Sequence, residues 1–356
     1  MTTVLISGAS IAGLSTAWML SRLGYRVTVV EVAPEPRVGG TAVDLRAESL
    51  DVARRMGIFE SLDASKLALE SIEFKDADDV TQGSMPAGGG GLEIERSKLV
   101  QILFAGLPPT VELLFGDRIT ALRDHPDRVE VTFERGAPRV FDLVIGADGT
   151  HSVVRELQFG DEAGYVHFLG AYFAIAIVNK SLVRPNTLQM FNVPGTVVML
   201  NAYKDKTDIV VSFVSEELPY DVRDVAQQRA IVAERLAGHG WRTAELREAE
   251  NFYFDKFCQV RMPTWTRGRV ALVGDAAYCA SPAAGMGGAL AMEGAAALVG
   301  ALDAHGGELP AAFHAYDQAL RPLIDAVQAA AVAMLNDNLI PRTEEAIRAR
   351  NARASW

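Results

Sequence analysis

The sequence predicts an α/β fold with a second sheet inserted into it, and three observations carry that prediction. A short apolar strand, a glycine turn and a helix open the chain. Two later apolar strands each end in a small polar turn, Gly146-Ala147-Asp148-Gly149 and Gly274-Asp275. Between them lies a long succession of segments rich in β-branched and aromatic residues.

Residues 3–7 are apolar and β-branched, and Gly8-Ala9-Ser10-Ile11-Ala12-Gly13 leads into a helix that Gly24 stops. Residues 25–31 form a second strand. Strand, glycine turn, helix and strand within about 30 residues make the opening half of a Rossmann-like βαβ unit, so parallel pairing is implied. Residues 32–40 are a Pro- and Gly-rich loop, and residues 47–56 are an amphipathic helix ended by Gly57. Residues 72–92 read as strands broken by the Gly88–Gly91 run, a surface turn with no helix start behind it. A helix over 95–104 is followed by strands over 118–140 with a turn at 124–127.

Residues 141–146 form a buried, parallel-type strand. From 165 to 214 the pattern is successive strands with turns at 179–186 and 204–207. A helix over 223–236 precedes a last buried strand at 269–273. The alanine-rich helix 287–302 and a mostly helical stretch from 310 to about 350, interrupted near Pro322 and Pro341, complete the chain.

With 356 residues the chain can bury a core large enough for a bulky cofactor. A net charge of −11 argues against nucleic acid and against an anionic membrane surface as partners, which leaves small molecules. Cys258 and Cys279 are too few for a disulfide framework and are expected to be unbridged in a reducing compartment. No signal core and no run of about 18 uncharged apolar residues is present, so a cytoplasmic location is expected.

The opening turn departs from G-x-G-x-x-G because Ser10 stands where the second glycine is usual, although its hydroxyl can donate to a phosphate. Gly8 and Gly13 still permit the tight turn and close helix packing, and the amides at Ile11 and Ala12 still offer positive dipole to an anion. Glu31 falls 23 residues after Gly8, where a carboxylate can accept both ribose hydroxyls of an adenosine and would repel a 2′-phosphate. That points to FAD or NAD and does not choose between them.

Asp142-Leu-Val-Ile-Gly-Ala-Asp148-Gly149, with Ser152 and Arg155 following, resembles the Asp-Gly motif of the single-component, aromatic-hydroxylase type of FAD-dependent monooxygenase. Gly274-Asp275-Ala-Ala-Tyr278, then Pro282, Gly285, Met286 and Gly287, resembles the same family's Gly-Asp flavin motif. Two departures stand out: Ala289 where Asn is frequent and Gly294 where Asp is frequent, and Tyr278 replaces a frequent histidine. Gly39-Gly40-Thr41-Ala42-Val43-Asp44-Leu45-Arg46 is similar to a cofactor-covering loop of tetracycline-inactivating monooxygenases and polyketide hydroxylases. The resemblance implies that Asp44, Arg46, Arg96, Asp148, Asp275, Pro282, Gly285, Met286, Gly287 and Ala289 contact FAD, and that Arg37 helps hold the nicotinamide cofactor. It implies the p-hydroxybenzoate hydroxylase type of fold. Residues 1–72, 93–160 and 266–330 would form a discontinuous Rossmann-like FAD-binding domain. Residues 73–92 and 161–265 would form a mostly antiparallel β-sheet substrate domain, and 331–356 a C-terminal helix.

There is no G-x-S-x-G motif, and the six histidines show no metal-ligand spacing, so the chemistry falls to the cofactor. The family resemblance implies that NADH or NADPH reduces FAD and that oxygen adds at C4a. The hydroperoxide then hydroxylates an aromatic or polyketide-like small molecule. Phe173, Met190, Phe191, Met199, Tyr203 and Phe213 are the candidate pocket residues, and His167 a candidate aid to a phenol proton. A flavin-dependent dehydrogenase, reductase or halogenase on the same fold is the alternative, although Trp265 stands outside any halogenase Trp-x-Trp signature. A non-catalytic flavin-binding accessory protein is a third reading.

Overall fold

A computed structural model describes residues 1–36, 39–87, 91–239, 241, 249 and 251–354, so Arg37 and the Gly88–Gly90 part of the glycine run lie outside the described residues. Thr3–Ser7 forms the middle of a six-stranded sheet in the order Thr266–Arg267, Val270–Leu272, Leu143–Gly146, Thr3–Ser7, Arg26–Glu31, Glu112–Phe115. Every pairing is parallel except the outermost, Thr266–Arg267 on Val270–Leu272. These strands read as continuous apolar runs because helices cover them, and Val4, Leu5, Leu143, Val144, Val270 and Leu272 are at most 1% exposed. The helices Ile11–Arg22 and Gly287–Ala304 pack on one another.

The inserted sheet has seven strands in the order Asn251–Val260, Val166–Val178, Lys206–Val214, Thr196–Tyr203, Thr187–Val193, Ser71–Lys75, Thr81–Pro86. It is antiparallel apart from Ser71–Lys75 beside Thr187–Val193. One face packs Tyr172, Phe191, Val198, Phe213 and Phe254 with the helix Val225–Arg235. The other packs Phe173, Met190, Val197 and Phe257 against Ala283, Leu335 and Ile340. A three-stranded antiparallel sheet over residues 119–141 and a two-stranded one, Ala42–Leu45 with Leu92–Glu95, complete the strands among the described residues.

The final helical region differs from the expectation at one proline. Leu309–Ala333 is a single helix of 25 residues that passes through Pro322. Tyr316, Leu320, Ile324, Val327 and Ala331 keep one buried stripe in register across it, so packing outweighs the single backbone bond that proline removes. The chain turns instead at Pro341, after a π-helical stretch Met334–Leu339, and the helix Glu344–Arg353 leaves at 100°. The strands Glu112–Phe115 and Asn251–Val260 were not evident in the sequence: the first is four residues long, and the second interrupts its apolar run with Asp255 and Lys256. Among the described residues no single helix is long and apolar enough to cross a membrane.

Candidate cofactor and substrate site

Parallel strands deliver their C-terminal ends to one edge of a sheet, and the site forms there. Gly8 has φ +106°, and a Cβ on it would stand 2.4 Å from the carbonyl oxygen of Ala147. A Cβ on Gly13 would stand 1.9 Å from the carbonyl oxygen of Gly8, and one on Gly274 would stand 2.8 Å from Ala12 Cβ. Three turns far apart in sequence therefore meet at contacts only glycine allows. The buried Arg155 ties two of them further: its Nη1 donates to Ala276 O at 3.1 Å and its Nη2 to Thr150 O.

The cleft they enclose has a volume of about 620 Å³. Of the residues singled out in the sequence, Gly8, Ser10, Ile11, Ala12, Glu31, Arg96, Asp148, Asp275, Pro282, Gly285 and Gly287 line it. Ser10 is extended, at φ −110°, so the missing second glycine costs no strain. Its hydroxyl accepts from Arg96 Nη2 at 2.8 Å. Glu31 is buried and accepts from the amides of Ala9 and Ala33, both at 2.9 Å, which fixes the carboxylate under the glycine turn. Asp148 accepts from the amide of Val154 at 3.2 Å and from the Ser152 hydroxyl, and burial pushes its carboxyl up. Burial also raises Asp275, with Arg96 opposing the shift.

Other expected residues stand elsewhere. Gly13 serves packing rather than lining, and Ala289 is fully buried within its helix. Met286 is partly buried against the core. Asp44 and Arg46 pair with each other at 3.5 Å and do not line the cleft, whereas Thr41, Ala42 and Val43 of the same loop do. The backbone of Arg46 is occupied in starting the next helix, with its amide donating to Ser49 Oγ at 2.8 Å.

Strand alternation divides the six pocket candidates. Phe173, Met190 and Met199 lie on the sheet face that meets Ala283, beside the cofactor cleft. Phe191 and Phe213 point to the opposite face and pack into a separate core, so their expected place in the pocket is corrected by the pleat. Tyr203 is buried and donates to the Asp208 carboxylate at 2.8 Å. His167 is exposed.

Among the lining residues that the sequence did not single out are His151, Tyr253 and Asp255. Their signal is faint, because Asp255 becomes visible as inward-facing only once Asn251–Val260 is known to be a strand sharing a face with Phe257. His151 is pushed up to about 10, first by the Asp255 carboxylate 3.7 Å away and then by Glu162.

The departures at Tyr278 and Gly294 explain one another. A Cβ at Gly294 would lie 1.6 Å from the Tyr278 hydroxyl, so the tyrosine fills the room that the glycine leaves. Tyr316 Oη donates to Leu272 O at 3.0 Å and lies 3.4 Å from Tyr278 Oη, and Trp265 packs edge-on to Tyr278.

Comparison with known proteins agrees with this geometry. Residues 1–330 match the family described as FAD binding domain. An uncharacterized protein of Mycobacterium tuberculosis (strain H37Rv) is 41% identical over 330 residues, which covers 89% of this chain and 89% of the relative. A flavin-dependent monooxygenase from an unknown prokaryotic organism is 35% identical over 338 residues, 92% of this chain and 87% of the relative. The crystal structure of the tetracycline destructase Tet(51) superposes with a TM-score of 0.89 at 32% identity, over 100% of this chain and 96% of that one.

Two outcomes follow from this geometry. Gly294→Ala sets a methyl group against the Tyr278 hydroxyl and should cost about 1–3 kcal/mol of stability. Adding Tyr278→Phe should recover part of that loss, as a thermal-unfolding double-mutant cycle will read. Glu93, opposite Asp44 in the two-stranded sheet, is raised to about 7 by burial first and by Asp44 second. A carboxyl raised in the folded state adds most to stability below its ordinary value near 4.5 and loses that contribution as pH climbs to about 7. Glu93→Gln does not titrate, so its stability relative to wild type should rise between pH 4.5 and 7 and stay level above that range, as unfolding curves across it will test.

Proposed function

The chain belongs to the FAD binding domain family of flavin-dependent monooxygenases, and on that footing we propose that it uses NADH or NADPH and dioxygen to hydroxylate an aromatic or polyketide-like small molecule. The observation that carries the reading is the single cleft on which the glycine turn, the Asp-Gly turn and the Gly-Asp segment converge. Its lining fits FAD along its length: a helix N-terminus with the Ser10 hydroxyl where a pyrophosphate must come close, a carboxylate at the adenosine end, and small residues with a proline at the ring end.

When bound, FAD supplies the two-electron chemistry that couples a nicotinamide donor to dioxygen. The residues have narrower tasks. The helix Ile11–Arg22 would present its N-terminal amides to the diphosphate, and Glu31, oriented by the amides of Ala9 and Ala33, would receive the ribose hydroxyls. Arg96 reaches from its helix over the cleft and sets a positive charge near Asp275. The helix Gly287–Ala304 begins at the cleft, where its dipole would favour negative charge on a reduced flavin. Phe173, Met190 and Met199, with Phe257, form an apolar wall that keeps water from the reacting carbon. Arg37 is assigned to the nicotinamide donor through the family resemblance.

The purified protein should be yellow and should consume NAD(P)H faster, with oxygen uptake and a product heavier by one oxygen atom, when an accepted phenol or polyketide is added. Glu31→Ala should weaken FAD binding about 10- to 100-fold, the range for losing a hydrogen bond to a charged group. Apoprotein titrated with FAD measures that change. Full FAD occupancy in Glu31→Ala would refute the placement of the adenosine.

A further inference from the structure

The wall just described carries a polar feature that the flavin does not require. Tyr253, Asp255 and Phe257 share one face of Asn251–Val260, and Asp255 lies opposite Phe173 in the neighbouring strand. The Tyr253 ring is 5.8 Å from the Phe173 ring, and Tyr253, Asp255 and His151 border the same cleft as Pro282 and Gly285. This places a phenol where the apolar sheet face and the cofactor cleft join.

The phenol's proton is already committed. Tyr253 Oη donates to Asp255 Oδ2 at 2.5 Å. Asp255 Oδ1 accepts from the amide of Lys256 at 2.8 Å, and Oδ2 also lies 3.7 Å from His151 Nε2. His151 Nδ1 is 3.0 Å from Glu162, which accepts from the buried Arg155 at 3.2 Å. Burial alone would raise the Asp255 carboxyl, but the His151 contact and then Tyr253 more than offset it, so Asp255 stays ionised. A tyrosine hydroxyl has one donor, and an ionised carboxylate holds it more strongly than a neutral acceptor would. The side chain of Tyr253 is nevertheless open, with the residue 52% exposed, so its oxygen meets the cleft as an acceptor.

We propose that Tyr253 reads the substrate by accepting a hydrogen bond from a phenolic or enolic hydroxyl, with Asp255 and His151 as the positioning residues that fix its polarity. The proposal rests on the monooxygenase reading and adds a specificity-determining residue to it: Tyr253 favours a compound with a free hydroxyl over the corresponding ether. An ether presents only an acceptor to an acceptor. The Lys256 side chain does not alter this balance, because it pairs with Glu217 at 3.0 Å.

The test uses the FAD-loaded protein with 1-naphthol and 1-methoxynaphthalene as probes, and binding is read from the change in flavin absorbance. The wild type should bind the naphthol about ten-fold more tightly than the ether, the worth of one hydrogen bond. Tyr253→Phe should bind the two alike, with the affinities of every variant referred to its measured FAD-loaded fraction. Asp255→Asn, which leaves the tyrosine proton only a neutral and weaker acceptor, should narrow the preference by improving the ether. Retention of the wild-type preference in Tyr253→Phe, or a wild type that binds both probes equally or neither, overturns the proposal. A colourless protein that takes up no flavin would instead defeat the monooxygenase reading itself.

Discussion

Everything in this site depends on three absent side-chain carbons. Gly8 under Ala147, Gly13 under Gly8 and Gly274 against Ala12 bring three chain segments closer than any residue with a Cβ would allow. Because Thr3–Ser7 lies between Arg26–Glu31 and Leu143–Gly146, and Val270–Leu272 follows next, the parallel sheet already sets those three turns side by side. The glycines let them close on one another, and Arg155 secures the result with bonds to Ala276 and Thr150. The packing is local in space but spans more than two thirds of the sequence, so the site and the fold are acquired together.

Such closeness leaves polar groups with little water, and several of those lining the cleft are given partners within the protein. Glu31 is held by two amides, Asp148 by Ser152 and Val154, and the Ser10 hydroxyl by Arg96. The substitutions that depart from the family pattern obey the same constraint. Ser10 is tolerated because its backbone is extended and its hydroxyl has a donor, and Gly294 is tolerated because Tyr278 occupies the space. Losing a polar side chain at one position is thus answered by volume from another, which preserves close packing.

The nucleotide-binding half was legible in the sequence because its signals are short-range: apolar runs, glycines at fixed spacing and a carboxylate at the end of a strand. The inserted sheet was legible as strands and turns, but not in its facing. Phe191 and Phe213 have the same composition signal as Phe173, and only the packing of Val225–Arg235 on one face and Ala283 on the other separates them. Asp44 and Arg46 do not line the cleft and pair with each other, while Thr41, Ala42 and Val43 just before them border it. His151, Tyr253 and Asp255 could not be assembled from spacing at all, because His151 lies about a hundred residues from its partner in the sheet.

The last part of the chain, which carries no motif, completes the wall that the motifs leave open. Leu335 and Ile340 pack on Phe173, Met190 and Phe257, Gly195 donates its amide to Pro341 O at 3.0 Å, and Asn192 Nδ2 donates to Leu339 O at 3.0 Å. The guanidinium of Arg350 lies 4.4 Å from the centre of the Phe74 ring, and its removal from water lowers its affinity for a proton to about 10. An arginine is buried at such cost only where its position is fixed, here by Asn351 Oδ1 and Asn338 O. The turn at Pro341 is therefore what lets the helical tail fold back over the sheet, and a straight continuation of Leu309–Ala333 would leave that apolar face exposed to water.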